Sequence, residues 1–149
     1  MPMRLGTPIP SLEGAQWLQP TGGVKVEPAP VTLVHFWAVS CHICHETMPD
    51  VSAMRDRYIE HGLQTFAFHL PRMEEDIDLD KIKRDIDQFN MTQPVGLDHD
   101  RVIAERFQNE YVPAFFIFNA NGELAFRAAG DKGFAKVEGK IREVLGLDS

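Results

Sequence analysis

The sequence predicts an α/β fold in which a mixed central β-sheet is flanked by helices, and three observations carry that prediction. Residues 31–38 (VTLVHFWA) are apolar, β-branched or aromatic apart from Thr32 and His35, the character of a strand buried on both faces. After Ser40 the period changes, and Met48, Val51, Met54 and Tyr58 recur at helical spacing. Toward the other end, Asn121-Gly122 separates two strand-like runs and is a strong hairpin signal.

Taken in order, six of the ten prolines fall within residues 1–30, together with Gly22-Gly23, so this N-terminal extension is read as extended pieces and turns. The strand at 31–38 leads into the first helix, which carries Pro49 in its interior at the loss of one backbone hydrogen bond. His61-Gly62 closes that helix, the glycine being suited to a left-handed cap. Residues 63–70 (LQTFAFHL) form a second strand, parallel to the first through a right-handed crossover. Leu79, Ile82, Ile86 and Phe89 then give residues 74–89 the apolar stripe of an amphipathic helix.

A short strand is expected at 95–97, followed by a helix with Val102, Ile103 and Phe107 that either Asp98 or Asp100 can cap. Residues 114–118 (AFFIF) and 123–129 (ELAFRAA) are an antiparallel pair. Phe134, Val137, Ile141, Val144 and Leu145 mark a C-terminal helix interrupted by Gly139. That glycine costs about 1 kcal/mol relative to Ala unless it lets the helix lie close on the sheet. With no internal repeat or linker, residues 1–149 read as one domain.

Composition narrows the function classes. The chain has 149 residues, 44% hydrophobic and 25% charged, which suits a globular domain with a buried core. Fifteen Lys and Arg against 22 Asp and Glu leave a net charge of −7, so a basic footprint for nucleic acid is absent and no nucleic-acid partner is expected. The longest charge-free stretch, 28–45, contains three His and two Pro, and no membrane span is expected. The opening MPMRLGTPIPSL lacks a continuous apolar run, which leads to the expectation of a cytoplasmic protein.

Cys41 and Cys44 are the chain's two cysteines, and random placement would give this spacing in about 1% of cases. A dithiol closing so small a ring can oxidise and reduce with little movement of the fold. At a strand-to-helix junction, unpaired N–H groups and the positive end of the helix dipole favour the Cys41 thiolate. His42 and His45 act in the same sense when protonated, and Glu46 opposes them. The expected cycle has Cys41 as nucleophile, exposed at the helix start, and Cys44 as the resolving thiol one turn inside.

Other chemistries fit less well. Cys41-x-x-Cys44-His45 also matches the c-type haem attachment motif, but it follows a buried strand. His42, His45, His61 and His69 do not offer the second ligand pair of a Cys₂His₂ zinc site, so no metal and no cofactor are assigned. A peroxiredoxin would need Pro and Thr where Val34 and Ala38 stand. The acidic run from Glu74 to Asp80 reads as a solvated helix entry. The alternative that stays open is a redox-switched partner-binding module with little turnover.

Phe36-Trp37-Ala38-x-x-Cys41-x-x-Cys44, with Pro49 five residues on and Val112-Pro113 before an aromatic strand, resembles the thioredoxin-fold oxidoreductases. The proline-rich extension and an extra helix insertion near 75–90 are similar to the TlpA/ResA-like branch. The resemblance implies that Trp37 walls the site, Pro113 is a cis-proline facing the dithiol, and the Val112 backbone pairs with an extended client. The intervening His42-Ile43 differs from the dipeptides of thioredoxin and of the strongly oxidising members, and completes the substrate-binding set.

Two positions depart from that pattern. His35 replaces the thioredoxin acid two residues before the tryptophan, and Thr47 replaces the ResA-like glutamate three residues after the second cysteine. Strand alternation puts Leu33, His35 and Trp37 on one face, so His35 is either a proton acceptor for Cys44 or a core histidine bonded within the fold. The expected function is electron transfer as a reductase of protein disulfides, in a monomer whose partners are protein disulfide clients and an upstream thiol reductant.

Overall fold

A computed structural model of the chain describes residues 2–21 and 24–147; the expected turn at Gly22-Gly23 lies outside the described residues. The elements are β1 (Gln16–Gln19), β2 (Val31–Trp37), α1 (His42–Tyr58), β3 (Leu63–His69), α2 (Leu79–Gln88), β4 (Val95–Leu97), α3 (Val102–Arg106), β5 (Ala114–Phe118), β6 (Leu124–Ala129) and α4 (Val137–Leu145). Six strands form one sheet in the order β1-β4-β3-β2-β5-β6. The strands β2, β3 and β4 are mutually parallel where they pair, whereas β5, β6 and β1 join antiparallel.

Every residue of β2 is buried, as its composition requires of a strand covered on both faces. Alternation along it feeds two cores. Val31, Leu33 and Trp37 join Met48, Val51, Met54 and Tyr58 of α1, Ile82 and Phe89 of the α2 region, and Val137 and Ile141 of α4. Val34 and Phe36 join Phe66, Phe68, Ile103, Phe107 and Phe116 on the opposite face, with Met3 and Leu12 of the N-terminal segment. The dithiol, at the start of α1, belongs to the first of these cores.

The extension contains more regular structure than its prolines suggest. Gln16–Gln19 is a strand, antiparallel to β4 in register Gln16–Leu97 and Trp17–Gly96. Before it, residues 6–9 run beside the start of β6: the Gly6 and Ile9 N–H groups donate to Leu124 O and Gly122 O, and Leu124 N–H returns a bond to Thr7 O. The prolines punctuate this path without preventing either pairing, since the residues between them keep their N–H groups.

The helix expected over 74–89 is interrupted. Glu74–Ile77 is a 3₁₀ turn, and Asp78, extended at φ −67° and ψ 109°, caps α2 by accepting the Asp80 N–H. An aspartate that can close this local bond favours the cap over helix continuation. Of the two candidate caps for α3, Asp98 does the work, its two oxygens accepting the Ile103 and Ala104 N–H groups at 2.9 and 2.7 Å. Gly62 ends the α1 region at φ 99°, where its Cα also passes so close to Pro30 that a side chain would not fit. At Gly139, by contrast, an added methyl would meet nothing within 4 Å, so close approach to the sheet is not its reason.

Candidate functional site

The site is built where β2 ends and α1 begins. Cys41 is the helix N-cap, with extended backbone at φ −89° and ψ 104°, and its Sγ accepts the Cys44 N–H at 3.1 Å. Cys41 and Cys44 are joined as a disulfide with their Cα atoms 5.2 Å apart. Both are buried, so Cys41 is less exposed in the oxidised form than a helix-start residue is expected to be. The backbone bond to its sulfur is the feature that singles it out, because an N–H directed at a sulfur stabilises that atom as a thiolate.

The loop leading to Cys41 is held from outside its own strand. Val39 N–H donates to His69 Nε2 at 3.2 Å, and Ser40 Oγ donates to Asp76 Oδ2 at 2.8 Å. The same carboxylate oxygen accepts the Arg72 N–H at 2.7 Å, while the Arg72 guanidinium donates to Ser40 O, also at 2.7 Å. His69 is fully buried, edge-on to the Trp37 ring, and its Nδ1 has no hydrogen-bond partner. Burial and the charge of His99 together lower its pKa to about 4, although Asp76 acts in the raising direction.

His35 lies on the α1 side of the sheet, stacked on Phe115, and its Nε2 is 3.0 Å from Gln93 Nε2. The tautomer follows from Gln93. Its Oε1 accepts from the Arg55 guanidinium at 2.6 Å, so the amide nitrogen is the NH₂ group that donates to His35, and the His35 proton resides on Nδ1. The Nε2 lone pair is thus committed to Gln93. Burial, reinforced by the Arg55 charge, lowers the His35 pKa to about 3.

Trp37 is completely buried, packed in the same core as both cysteines. Its indole N–H donates at 3.0 Å to Asp85 Oδ2, which also lies 3.0 Å from His45 Nε2. Asp85 is a functional candidate that the sequence does not single out: positions 35 and 47 lack the acids of the resembling families, and a buried carboxylate reaches Trp37 and His45 from α2 instead. The signal was present in the stripe Ile82, Ile86 and Phe89, since position 85 falls on the same face of α2.

Of the remaining candidates, two lie between the cysteines and two directly precede β5. His42 is exposed and its Nε2 is 2.9 Å from Glu46 Oε1 one turn along α1. Ile43 is half-buried against the α1-side core. Val112 is half-buried, Pro113 is buried, and the peptide bond joining them is cis. No group of three or more His, Cys, Asp or Glu side chains capable of holding a metal occurs among the described residues.

This strand-dithiol-helix arrangement on a four-helix, mixed-sheet frame defines a thioredoxin-like protein. Residues 24–145 match the family described as a thioredoxin-like domain, and the chain belongs to that family. It is 40% identical over 146 residues to the thiol-disulfide oxidoreductase YkuV of Bacillus subtilis, covering 96% of this chain and 97% of that protein. The thiol-disulfide oxidoreductase ResA of Bacillus anthracis is 23% identical over 111 residues, 74% of this chain and 61% of that one. A solved thioredoxin-like protein in its oxidised form superposes with a TM-score of 0.86 at 39% identity, over 99% of this chain and 100% of the other. A solved DsbE-like protein from Chlorobium tepidum shares the fold, with a TM-score of 0.78 at 22% identity over 97% and 99% of the two chains. The chain is a thiol-disulfide oxidoreductase with Cys41-x-x-Cys44 as its redox couple.

Proposed function

We propose that the protein, acting as one domain, reduces disulfides in protein clients, with Cys41 as nucleophile and Cys44 as resolving thiol. The observation that carries the assignment is the Cys44 N–H directed at Cys41 Sγ, which favours charge on the sulfur at the helix cap. Cys41 attacks a client sulfur and forms a mixed disulfide. Cys44 then attacks Cys41 Sγ, regenerating the disulfide and releasing the client dithiol. An upstream dithiol of the thiol-reductant class returns the two electrons.

His42, Ile43, Val112 and Pro113 make up the proposed docking surface. Val112 offers backbone groups to an extended client, and the residues between the cysteines meet it. Trp37 contributes as the buried wall under that surface. His35 enters as a neutral core acceptor for Gln93, not as the base for Cys44. The reductase direction and a cytoplasmic setting are supported by cysteine usage: both cysteines are spent on the redox couple, leaving none for a structural disulfide. No helix among the described residues is long and apolar enough to cross a membrane. A monomer is the proposed working form.

Two measurements test this. Titration of the Cys41-Cys44 couple in a dithiol redox buffer is expected to give a potential below about −230 mV, whereas a value above about −180 mV would make it an oxidant or isomerase. Cys41→Ser should abolish reduction of a protein disulfide, and Cys44→Ser should accumulate mixed disulfides visible by intact mass. A reversible couple that reduces no protein disulfide would transfer the reading to a redox-switched binding module.

A further inference from the structure

We propose that the Asp85–His45 pair is the charge partner of the dithiol, so that proton uptake at His45 accompanies formation of the Cys41 thiolate. The inference deepens the exchange reading above and rests on it. Its basis is a carboxylate on α2 that the exchange cycle leaves unused. Asp85 Oδ2 receives the Trp37 indole N–H and the His45 ring, each at 3.0 Å. The Asp85 side chain is 7% exposed and that of His45 36%, so the pair has one member in the core and one open to solvent protons.

Its position ties it to the sulfurs. His45 directly follows Cys44, and its backbone N–H donates to Cys41 O at 3.2 Å. Trp37, held by the same carboxylate, packs in one core with Cys41 and Cys44. The titratable and charged groups around His45 are Asp85 from α2, the two cysteines at its own helix end, and the exposed His42–Glu46 pair on the same turn. Phe89 lies against the ring with centroids 5.2 Å apart, and Trp37 comes from β2.

The electrostatic argument is one of sign. A carboxylate held away from water, and joined to the dithiol's surroundings through Trp37 and His45, opposes a second negative charge on sulfur, and the medium screens that repulsion poorly. An imidazolium on Asp85 cancels it. Of the other three imidazoles near the site, His35 Nε2 accepts from Gln93 and His69 Nε2 accepts from Val39 N–H, while His42 is exposed to water and paired with Glu46, away from the buried carboxylate.

The step balances as follows. An incoming dithiol gives two electrons and two protons and becomes a disulfide, while the Cys41–Cys44 bond breaks. One proton is kept by Cys44 as thiol and the other by His45, leaving Cys41 as thiolate. When the thiolate reduces a client disulfide, those two protons leave with the client sulfurs.

The linkage is reciprocal, so reduction must raise the proton affinity of His45. The test follows the His45 ring signals by NMR across pH in the full-length protein, oxidised and then chemically reduced, with His45→Gln to assign them. The expected result is a titration midpoint higher in the reduced form, by on the order of half a pH unit, or about threefold in proton affinity. In Asp85→Asn that redox dependence should shrink, since the His45 ring is no longer held in place by a charged carboxylate. The alkylation rate of reduced Cys41 at neutral pH should fall several-fold in His45→Gln. Equal midpoints in the oxidised and reduced wild type would overturn the proposal, and would do so even if Asp85→Asn failed to fold. Failure of the wild type to exchange with protein disulfides would instead defeat the exchange reading, because the NMR comparison needs only chemical reduction.

Discussion

Asp76 holds Ser40, the residue immediately before the redox cysteine, through a 2.8 Å hydrogen bond from the serine hydroxyl. The carboxylate is itself buried and also takes the N–H groups of Arg72 and Met73. The segment between β3 and α2 is therefore fastened to the loop that presents Cys41. Replacing Asp76 with Ala leaves these donors without their acceptor. It is expected to destabilise the protein by about 2–3 kcal/mol, lowering Tm by roughly 5–10 °C. Asp76→Asn, which keeps one acceptor oxygen, should lose about half as much, and thermal denaturation compares the three.

Acid should weaken the fold in a window set by two buried histidines. His35 and His69 have pKa values lowered to about 3 and about 4, from 6.5 in the unfolded chain. Between those folded values and 6.5 the unfolded state binds more protons, so stability rises with pH across this range and is flat above it. At pH 5 each histidine is expected to subtract on the order of 1–2 kcal/mol relative to neutral pH. Denaturant melts from pH 5 to 7.5 should show the slope, and His35→Gln should reduce it.

Gly139 offers a gain. It lies inside α4, away from the positive-φ glycines, and open space surrounds the position a methyl would take. Gly139→Ala is expected to add about 0.5–1 kcal/mol by restricting the unfolded chain and favouring the helix. An unchanged or lower denaturation midpoint would show that the backbone there is not free to gain.

Arg55 is the buried cation of the His35 side. Its guanidinium donates to Gln93 Oε1 at 2.6 Å and pairs with Asp56 at 2.9 Å, with 2% of its own side chain exposed. Arg55→Ala removes the group that orients the Gln93 amide, and with it the fixed tautomer of His35. A loss of about 3 kcal/mol is expected, and the ring signals of His35 should report exchange between tautomers.

The parts of this molecule legible in its sequence are those governed by local rules. Alternation in β2, the helical stripe of α1 and the Asn121-Gly122 turn each specify their element within a short span of chain, and Cys41-x-x-Cys44 carries its chemistry in its spacing. What was hidden depends on distant partners. Trp37 meets Asp85 across 48 positions, His45 meets it across 40, and Arg55 meets Gln93 across 38. A carboxylate in an apolar stripe looks like a surface residue until the fold supplies two donors for it. The strand β1 was hidden similarly, because four residues between prolines become a strand only when the β4 edge stands beside them.

The same N-terminal segment that pairs with β6 near residues 6–9 goes on to pair with β4 at residues 16–19. The molecule thus guards its two sheet margins with a single piece of chain, passing over the core through Met3 and Leu12. Margins left open are templates for intermolecular pairing. A proteolytic nick or deletion in that segment would bare the β4 margin along with the start of β6, leaving a redox domain prone to edge-to-edge aggregation while its dithiol remained intact.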